Sequence, residues 1–578
     1  MKMKKSIALI LALSMCPATG LSLASCGEEG NALRLDVVGM DGGVGIDWLT
    51  NMEEDFESMF KDKQYGDKTG IDLKVSKKQQ MNNVNMAAEA YEIYFSERAD
   101  VQGFAKLGIL LDITDIVTEE DENGRSIASV LPKEAASRFV GTDGKYYGLP
   151  HYEFYAGLSY DADTFANYNA YFAAPLTDGN DEQWVKEYKS NYGNALFINN
   201  IAAVKSCGPD GEYETYDDGL PTSLQELIIL CSYLKDNGVA PLVLSGMYKN
   251  MSNYLIDGLW PALAGYEAMS ALYNFEGTIE AIKLDSNGDY IFTNELLFEG
   301  VEGIYKPETE MVEITQANGY RVSDMVEKYW AYAFLEAAMQ ENFFCTDSLA
   351  TSVSHTGAQG SVIFGSNTSG QSDKGMLIDG SYWWNESKLA NNFFYYEMAT
   401  GDTNERQIRY MSMPTSLNTT TTEGNGEPVT LLDVGHGNMY VNANIKDDSA
   451  MVEAIKDFLQ YAYSDEMLRA FTVETGTMRP LNYTLTDADK NGLDGYATAL
   501  LHMREVGNVV AFAGDNDIFR NYSNAFRVNL ECTQLAITHN NKTFKGTYDA
   551  MAAGATSKIA METTRIRSSA WGQYYKGN

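Results

Sequence analysis

Apolar and polar residues follow two distinct patterns near the start of the chain. Residues 33–37 and 71–75 alternate as in half-buried strands, and residues 48–60 carry apolar side chains at helical spacing. A strand, a helix and a second strand in this order predict an open α/β sheet. Because ligands of such sheets bind at the carboxyl ends of the strands, the glycine-rich loop at 39–45 is a candidate cleft loop.

The first 26 residues have the three parts of a secretory signal peptide: a basic start, an apolar run over 7–13 and a small-residue stretch ending at Cys26. The apolar run is far shorter than the roughly 20 residues that span a bilayer. The ending Leu-Ala-Ser-Cys resembles the bacterial lipobox, in which the cysteine receives a diacylglyceryl group. We therefore expect a signal peptide over 1–25, a lipid anchor at Cys26, a linker over 26–32 and a location on the outer face of the bacterial cell membrane. The alternative is an ordinary signal peptide with a chance cysteine.

Size and charge narrow the possible partners. About 550 residues remain after the signal peptide, which exceeds the size of a single hydrophobic core and predicts at least two lobes. The net charge is −37, and loss of Lys2, Lys4 and Lys5 makes it −40. Such a surface repels nucleic acid and anionic lipid, so we expect no nucleic-acid partner and membrane contact through the lipid anchor only. It is compatible with a neutral or cationic ligand.

Several blocks of sequence occur in an order that is typical of one protein family. Gly-Lys-Tyr-Tyr-Gly-Leu-Pro at 144–150 leads into Gly-Leu-Ser-Tyr-Asp at 157–161, and Gly-Met-Leu-Ile-Asp-Gly-Ser-Tyr-Trp-Trp follows at 375–384. Two helical patterns over 450–467 then precede Gly-Thr-Met-Arg-Pro at 476–480. In content and order these blocks resemble family 1 extracellular solute-binding proteins of ABC importers, above all the members that bind sugars.

The resemblance implies the type II fold of periplasmic binding proteins, an α/β fold with a ligand cleft between two lobes that are joined by hinge crossings. The first lobe would comprise 33–152 and 438–478, and the second 158–432 and 483–578, with an insertion near 285–345. The implied function is capture of an extracellular carbohydrate, an oligosaccharide, and its delivery to a membrane permease. The resemblance implies a protein that is not an enzyme and needs no cofactor.

Alternatives to this function come from other classes. The 5 histidines show no metalloprotease spacing, and the chain has neither a Gly-x-Ser-x-Gly elbow nor a phosphate loop. However, 80 Asp and Glu residues allow many carboxylate pairs, so a surface lipoprotein glycoside hydrolase is one alternative. A binding protein for a peptide or polyamine is a second alternative, and a structural adhesin is a third.

Two local features each have two interpretations. Residues 487–492 match the start of a calcium loop, but Thr498 occupies the position of its bidentate glutamate. Alternatively, Thr486 caps a helix that has acidic residues in its first turn. Cys207 and Cys231 form a disulfide that an exported protein permits, or they are buried thiols.

A sugar site needs flat aromatic faces for the ring and polar groups for the hydroxyls. Trp383 and Trp384 follow a predicted strand and, by resemblance, stand where the family has its stacking tryptophan. We expect one of them to stack on the ligand and the other to face the core. Glu153, at the first hinge by resemblance, is the preferred acceptor for ligand hydroxyls.

The other predicted ligand contacts lie in loops and near hinge crossings. Asp41 belongs to the candidate cleft loop, where the alternative role is that of a turn residue. By resemblance, several of the others flank the two hinge crossings. The remaining members of the set are Tyr152, Tyr155, Ser245, Tyr248, His436, Asn438 and Tyr522.

Overall fold

The computed structural model describes most of the 578-residue chain, with several gaps. The described residues are 31–78, 89, 91–174, 197–199, 203–368, 370–404, 406–418, 428–432, 435–506, 508–511 and 536–574. Cys26 and Tyr522 therefore lie outside the described residues. None of the described helices is long and apolar enough to cross a bilayer.

Strands and helices alternate along much of the chain. The strands are β1 (Leu33–Met40), β2 (Gln64–Tyr65), β3 (Lys68–Thr69), β4 (Ile71–Lys78), β5 (Ile93–Glu97), β6 (Leu149–Pro150), β7 (Ala156–Asp161), β8 (Ala240–Val243), β9 (Gly277–Ile282), β10 (Phe292–Leu296), β11 (Tyr305–Pro307), β12 (Thr309–Ile314), β13 (Lys374–Gly380), β14 (Ile408–Tyr410), β15 (Val429–Leu432), β16 (Gly437–Val441), β17 (Asn508–Ala511), β18 (Ile537–His539) and β19 (Lys542–Phe544). The α-helices are α1 (Asp47–Phe60), α2 (Val101–Lys106), α3 (Thr114–Thr118), α4 (Ile127–Val130), α5 (Lys133–Ala136), α6 (Ala162–Asn167), α7 (Leu224–Asp236), α8 (Ser252–Asn274), α9 (Val326–Gln340), α10 (His355–Phe364), α11 (Trp383–Leu389), α12 (Asn392–Thr400), α13 (Ser449–Ala462), α14 (Asp465–Thr475), α15 (Asp487–Asn491), α16 (Gly495–Val506), α17 (Thr547–Ala552), α18 (Ser557–Thr564) and α19 (Ser568–Tyr574). Short 3₁₀ helices cover Lys249–Met251, Gly319–Asp324, Gly365–Asn367 and Ala443–Ile445.

The first sheet has the strand order β4-β1-β5-β16-β6. Strand β1 runs parallel to β4 and β5, whereas β16 runs antiparallel to β5 and β6. Leu35 and Val37 of β1 are fully buried. Helix α1, which lies between β1 and β4 along the chain, has its Trp48 and Phe56 side chains buried as well. The predicted strand–helix–strand opening is confirmed.

The second sheet has the order β14-β7-β13-β8. Strand β13 runs antiparallel to β7 and parallel to β8. Helices α8 and α10 both pack against β13, so every residue of this strand is buried. Burial by neighbouring helices explains why its sequence contains a continuous apolar run rather than an alternating pattern.

Three segments that join one element of the chain to the next come together here, and the first of them leads from the first sheet to the second. The first connection, residues 151–155, leads from β6 to β7. The second leads from β15 to β16, and the third, residues 476–486, leads from α14 to α15. The Glu153 N–H donates to the Met478 carbonyl at 2.8 Å, and Tyr155 forms an isolated bridge with Leu432. The first connection therefore contacts both the third connection and the end of β15, where the second connection begins.

The stretch predicted as an insertion contains the antiparallel pairs β9–β12 and β10–β11, followed by α9. Residues 326–338 of α9 are all buried, because α7, α8, α17 and α18 pack around this helix. Burial raises the pKa of Glu327 in α9 to about 8. The predicted boundaries of two lobes and of an insertion stay predictions.

The two open local questions have clear structural answers. Thr486 Oγ1 accepts a hydrogen bond from the Asp489 N–H at 3.2 Å, and Asp489 Oδ2 accepts one from the Thr486 N–H at 2.8 Å. This reciprocal cap confirms that Thr486 begins a helix rather than a calcium loop. Cys207, Cys231 and Cys345 are free thiols, so Cys207 and Cys231 form no disulfide here.

Candidate ligand-binding site

The carboxyl ends of β1 and β5 meet residues that follow β13 of the second sheet. Asn385 Nδ2, in α11, donates to the Val44 carbonyl at 2.7 Å, just beyond β1. The Arg98 guanidinium, just beyond β5, donates to the hydroxyl of Tyr254 in α8. We call this region, formed by residues 41–45, 97–98, 152, 154, 254, 355–359, 379–382, 385–386 and 436, the junction.

Glycine lets the first loop approach the junction closely. A Cβ atom on Gly43 would lie 2.5 Å from Glu97 Oε1 and 3.1 Å from the Tyr152 hydroxyl. The φ angle of Gly43 is also +56°, a left-handed conformation that glycine adopts without strain. A side chain at this position would therefore displace the Glu97 carboxylate.

Stacked rings from both sheets and from the connections form an aromatic layer in the junction. The His436 and Phe154 rings are 3.8 Å apart and tilted by only 5°, and Tyr382 lies 5.6 Å from Phe154. Tyr254 meets the edge of Phe154 at 5.4 Å. His436 is buried, and burial, followed by the positive charge of Arg98, lowers its pKa well below the usual range. The layer is thus uncharged, and its Phe154, His436 and Tyr382 rings are stacked on one another.

Two partly exposed carboxylates enter the junction, one at the end of β5 and one from α11, the helix that follows β13. Glu97, at the end of β5, accepts a hydrogen bond from the Tyr152 hydroxyl at 2.5 Å and keeps 15% of its side chain exposed. Glu386, in α11, is 13% exposed and lies 3.2 Å from His355 Nε2. Burial raises the pKa of Glu97, and the negative charge of Glu386 raises it further. The two carboxylates therefore act on each other across the junction.

A buried amide holds the second-sheet carboxylates in place. Gln359 Nε2 donates to Glu386 Oε2 at 2.8 Å and to Asp379 Oδ2 at 3.0 Å, while its carbonyl accepts from the Ser387 hydroxyl at 3.0 Å. Burial and then the charge of Glu386 raise the pKa of Asp379 to about 7. The Glu386–His355 hydrogen bond raises the pKa of His355.

Arg98 adds a cation beside these acids. Its φ angle is +52°, which is uncommon for a residue other than glycine, and its N–H donates to the His436 carbonyl at 2.7 Å. Strained residues of this kind concentrate at functional sites. The junction thus offers carboxylate acceptors, a guanidinium donor, hydroxyl groups and flat rings, the set that a polyhydroxylated ring can use.

The two predicted tryptophans lie in the core. Trp383 is completely buried and its Nε1 donates to Ser159 Oγ at 2.8 Å. Trp384 is 4% exposed, its Nε1 donates to Asp494 Oδ2 at 2.6 Å, and its ring stacks on Tyr496 at 5.4 Å. Neither ring has a free face, because α11 needs both for its packing. The prediction that one of them stacks on a ligand therefore finds no support in this arrangement.

Glu153, the preferred acceptor, and Tyr155 lie behind the junction. Both oxygens of the buried Glu153 carboxylate are in use: Oε1 accepts from Arg504 Nε at 2.9 Å and Oε2 from the Tyr155 hydroxyl at 2.7 Å. The adjacent cavity of about 20 Å³ is only about the size of one water molecule. These two residues are therefore corrected from ligand contacts to parts of the connections.

The remaining predicted residues divide between the junction and its surroundings. Tyr152 and His436 lie in the junction, and Tyr248 lies at its rim, 41% exposed and with its ring 5.3 Å from that of His355. Asp41 is half-buried in the first loop, 3.3 Å from Lys77 Nζ.

Two further predicted residues serve the backbone rather than an open surface. The buried Ser245 hydroxyl donates to the Val353 carbonyl at 3.0 Å, and Asn438 Nδ2 donates to the Gly435 carbonyl at 2.9 Å. Both side chains stabilise turns near the junction. Neither is thereby available as an open ligand contact in this arrangement.

Sequence patterns do not identify several residues that the topology brings into the junction. They are Glu97, Arg98, Tyr254, His355, Gln359, Asp379, Tyr382, Asn385 and Glu386. One signal was available for four of them, because Glu97 and Arg98 stand at the carboxyl end of β5, and Asp379 and Tyr382 at that of β13, where the same rule that selected the first loop applies. The others have no such local signal.

No model of a known protein family matches this sequence, and no curated protein does. By structure, the chain is similar to a chitin oligosaccharide binding protein, with 15% identity and a TM-score of 0.53 over 94% of this chain and 99% of that one. It is also similar to a protein solved in work on xylan utilization by the thermophilic bacterium Caldanaerobius polysaccharolyticus, with 12% identity and a TM-score of 0.51 over 92% and 99% of the two chains. These likenesses cover nearly the whole chain and confirm the predicted fold class, the α/β fold of periplasmic binding proteins.

Proposed function

We propose that the chain is the substrate-binding lipoprotein of an ABC importer and captures an extracellular oligosaccharide in the junction. Tyr382, the partly exposed ring of the aromatic layer, would carry the apolar face of a sugar ring, while Glu97 and Glu386 would accept hydrogen bonds from its hydroxyls. Ligand captured here is in contact with both sheets, so a change in their separation would be coupled to binding. A permease would take the sugar from the loaded form.

The observation that carries this proposal is the pairing of two partly exposed carboxylates, one at the end of β5 and one from α11, beside an uncharged aromatic layer. Sharing a fold with a chitin oligosaccharide binding protein supports the same conclusion. An anionic ligand is disfavoured, since two carboxylates would face it. Neutral sugars suit the site better than peptides, because sugar hydroxyls can donate to the carboxylates. The carbonyl groups of a peptide backbone would need hydrogen-bond donors from the protein instead.

Titration calorimetry with chitin, xylan and maltodextrin oligosaccharides of defined length tests the proposal. We expect one series to bind with a fixed stoichiometry of one site per chain and to raise the melting temperature, because a ligand of the native state stabilises it by mass action. Binding of a polyamine or a peptide instead of any sugar would contradict the ligand class. Turnover of aryl glycosides by the same preparation, abolished by Glu386→Gln, would contradict the binding-only function.

The lipid anchor belongs to the same proposal. Capture is useful to an importer when the binding protein stays near the permease, and two acyl chains hold a protein durably on a membrane. In a producing bacterium, Cys26→Ser should release the protein into the medium with unchanged affinity. Retention of the Cys26→Ser protein on the membrane would contradict the lipid anchor.

A further inference from the structure

A buried ion pair joins the first connection to a helix of the second sheet. Arg504 Nε in α16 donates to Glu153 Oε1 at 2.9 Å, and the Glu153 side chain is only 2% exposed. The charge of Glu153 is the main reason why the pKa of Arg504 is raised. Helix α16 packs against β14, at the edge of the second sheet. The pair therefore links a segment between the sheets to one of the sheets.

Glu153 is also bound to the other connections. Its N–H donates to Met478 in the third connection, and its second carboxylate oxygen accepts from Tyr155, which bridges to Leu432 at the start of the second connection. Any rotation of one sheet against the other must change backbone angles in these connections. The geometry around Glu153 therefore depends on the relative position of the sheets.

A small cavity lies beside this pair. The cavity of about 20 Å³ is lined by the third connection, at Gly476 and Thr477, and by the apolar side of α16, at Ala497 and Leu500. Gly476 itself packs closely on α16, because a Cβ atom there would lie 3.1 Å from Ala497 Cβ. The hydrogen-bonded ion pair and this close contact together hold α16 against the connections.

We propose that Glu153 and Arg504 are positioning residues that lock the hinge in the arrangement where the two sheets meet at the junction. A carboxylate as buried as Glu153 must stay paired, so separation of α16 from the first connection is disfavoured. The pair would not touch the ligand itself, because both carboxylate oxygens of Glu153 already accept hydrogen bonds from Tyr155 and Arg504 behind the aromatic layer. The effect of the lock on ligand affinity rests on the proposed function. Its effect on the conformation of the ligand-free protein does not depend on that function.

Small-angle X-ray scattering of the ligand-free protein without its signal peptide tests the lock. The variants are Arg504→Gln, the double variant Glu153→Gln/Arg504→Gln and the charge-preserving Arg504→Lys. Glu505→Gln is the matched control, because Glu505 lies next in the same helix and forms an exposed ion pair with Lys490 at 2.8 Å. The melting temperature of each variant is measured alongside.

We expect Arg504→Gln and the double variant to give a larger radius of gyration than the parent, and Arg504→Lys and Glu505→Gln to match the parent. The double variant should regain melting temperature without regaining compactness, a separation that a merely structural ion pair would not produce. Parent-like scattering from both Arg504→Gln and the double variant would overturn the inference.

If an oligosaccharide binds the parent, its dissociation constant should rise by about three- to tenfold in the double variant, in proportion to the lost fraction of the competent conformation. Unchanged affinity in a variant that has expanded would contradict the link between the lock and binding. Absence of sugar binding by the parent would instead contradict the proposed function and leave the scattering result valid. The two failures are therefore distinguishable.

Discussion

Two carboxylate–tyrosine pairs lie on opposite sides of the first connection, and they differ in what faces the carboxylate. Glu153 accepts from Tyr155 at 2.7 Å and Glu97 accepts from Tyr152 at 2.5 Å. Glu153 also receives a guanidinium and is 2% exposed, whereas Glu97 has the Glu386 carboxylate across the junction and is 15% exposed.

The difference teaches that residue type and tyrosine partner do not define the role of an acid near a hinge. A carboxylate whose oxygens are both occupied by the protein is part of the structure, and its removal damages folding. A carboxylate with spare acceptor capacity beside a second acid gains partners when a ligand with hydroxyl donors arrives. Stability and affinity should therefore respond to the two sites in opposite ways.

The largest expected effect is on the buried pair. Arg504→Met leaves Glu153 without its cation, and we expect the free energy of unfolding to fall by about 3 kcal/mol, at the low end for a broken buried pair because Arg504 is partly exposed. Urea denaturation measures this change. Glu505→Gln, which breaks an exposed pair on the same helix, should cost less than about 0.5 kcal/mol. Equal losses in the two variants would remove the distinction between the two carboxylate sites.

The junction acids predict a pH dependence of stability. The folded pKa of Asp379 is about 7, raised from 3.8 by burial and by Glu386. Its contribution to stability is therefore fully present below about pH 4 and is lost as the pH rises towards 7. The free energy of unfolding of Asp379→Asn, taken relative to that of the parent, should therefore rise by about 1–3 kcal/mol when the pH is raised from 4.5 to 7.5. Urea denaturation at both pH values separates this gain from any pH-independent cost of altered hydrogen bonds, and a constant difference would contradict the raised pKa.

The contact across the junction has a smaller effect. Asn385→Ala removes the 2.7 Å hydrogen bond to the Val44 carbonyl, a bond between α11 and the loop that follows β1. Because this bond is partly exposed, we expect unfolding to become easier by about 1 kcal/mol or less. The same variant should show a larger radius of gyration in solution scattering. A protein as compact as the parent would show that this contact does not help to hold the sheets together.

The smallest expected effect on folding comes from Glu97. Burial and the facing Glu386 carboxylate already raise its pKa, so Glu97→Gln removes a repulsion as well as the hydrogen bond from Tyr152. We expect the free energy of unfolding at pH 7 to change by less than about 1 kcal/mol, because the two terms oppose each other. A loss as large as that of Arg504→Met in the same urea titration would make Glu97 a structural residue like Glu153.

Much of the fold could be predicted from local patterns. Alternation at 33–37 and helical spacing at 48–60 reflect burial on one face, and both became the expected elements. The order of the sequence blocks along the chain predicted the fold class. The blocks at 144–161 and 375–384 lie at the ends of strands in the two sheets. Thr486 was predictable because capping depends on residues only three positions apart.

The site was predictable only in part. Tyr152 and His436 could be predicted because they lie in segments that lead from one sheet to another. Tyr254 and Glu386 lie in helices α8 and α11, and no pattern in the sequence of these helices indicates that they reach the same site. The side chain of Glu153 faces away from the junction because Arg504, far along the chain, supplies its partner. The adjacent tryptophans both became core because Ser159 and Asp494 supply acceptors for their N–H groups.

One titration tests the central claim most directly: calorimetric binding of the oligosaccharide panel to the parent, Glu97→Gln and Glu505→Gln. We predict that the parent and Glu505→Gln bind one series equally. Glu97→Gln should bind it about 10- to 100-fold more weakly, since a hydrogen bond to a charged group contributes about 1.5–3 kcal/mol. Binding of equal strength in all three proteins, or no sugar binding by the parent, would contradict the account of the junction as a carbohydrate site.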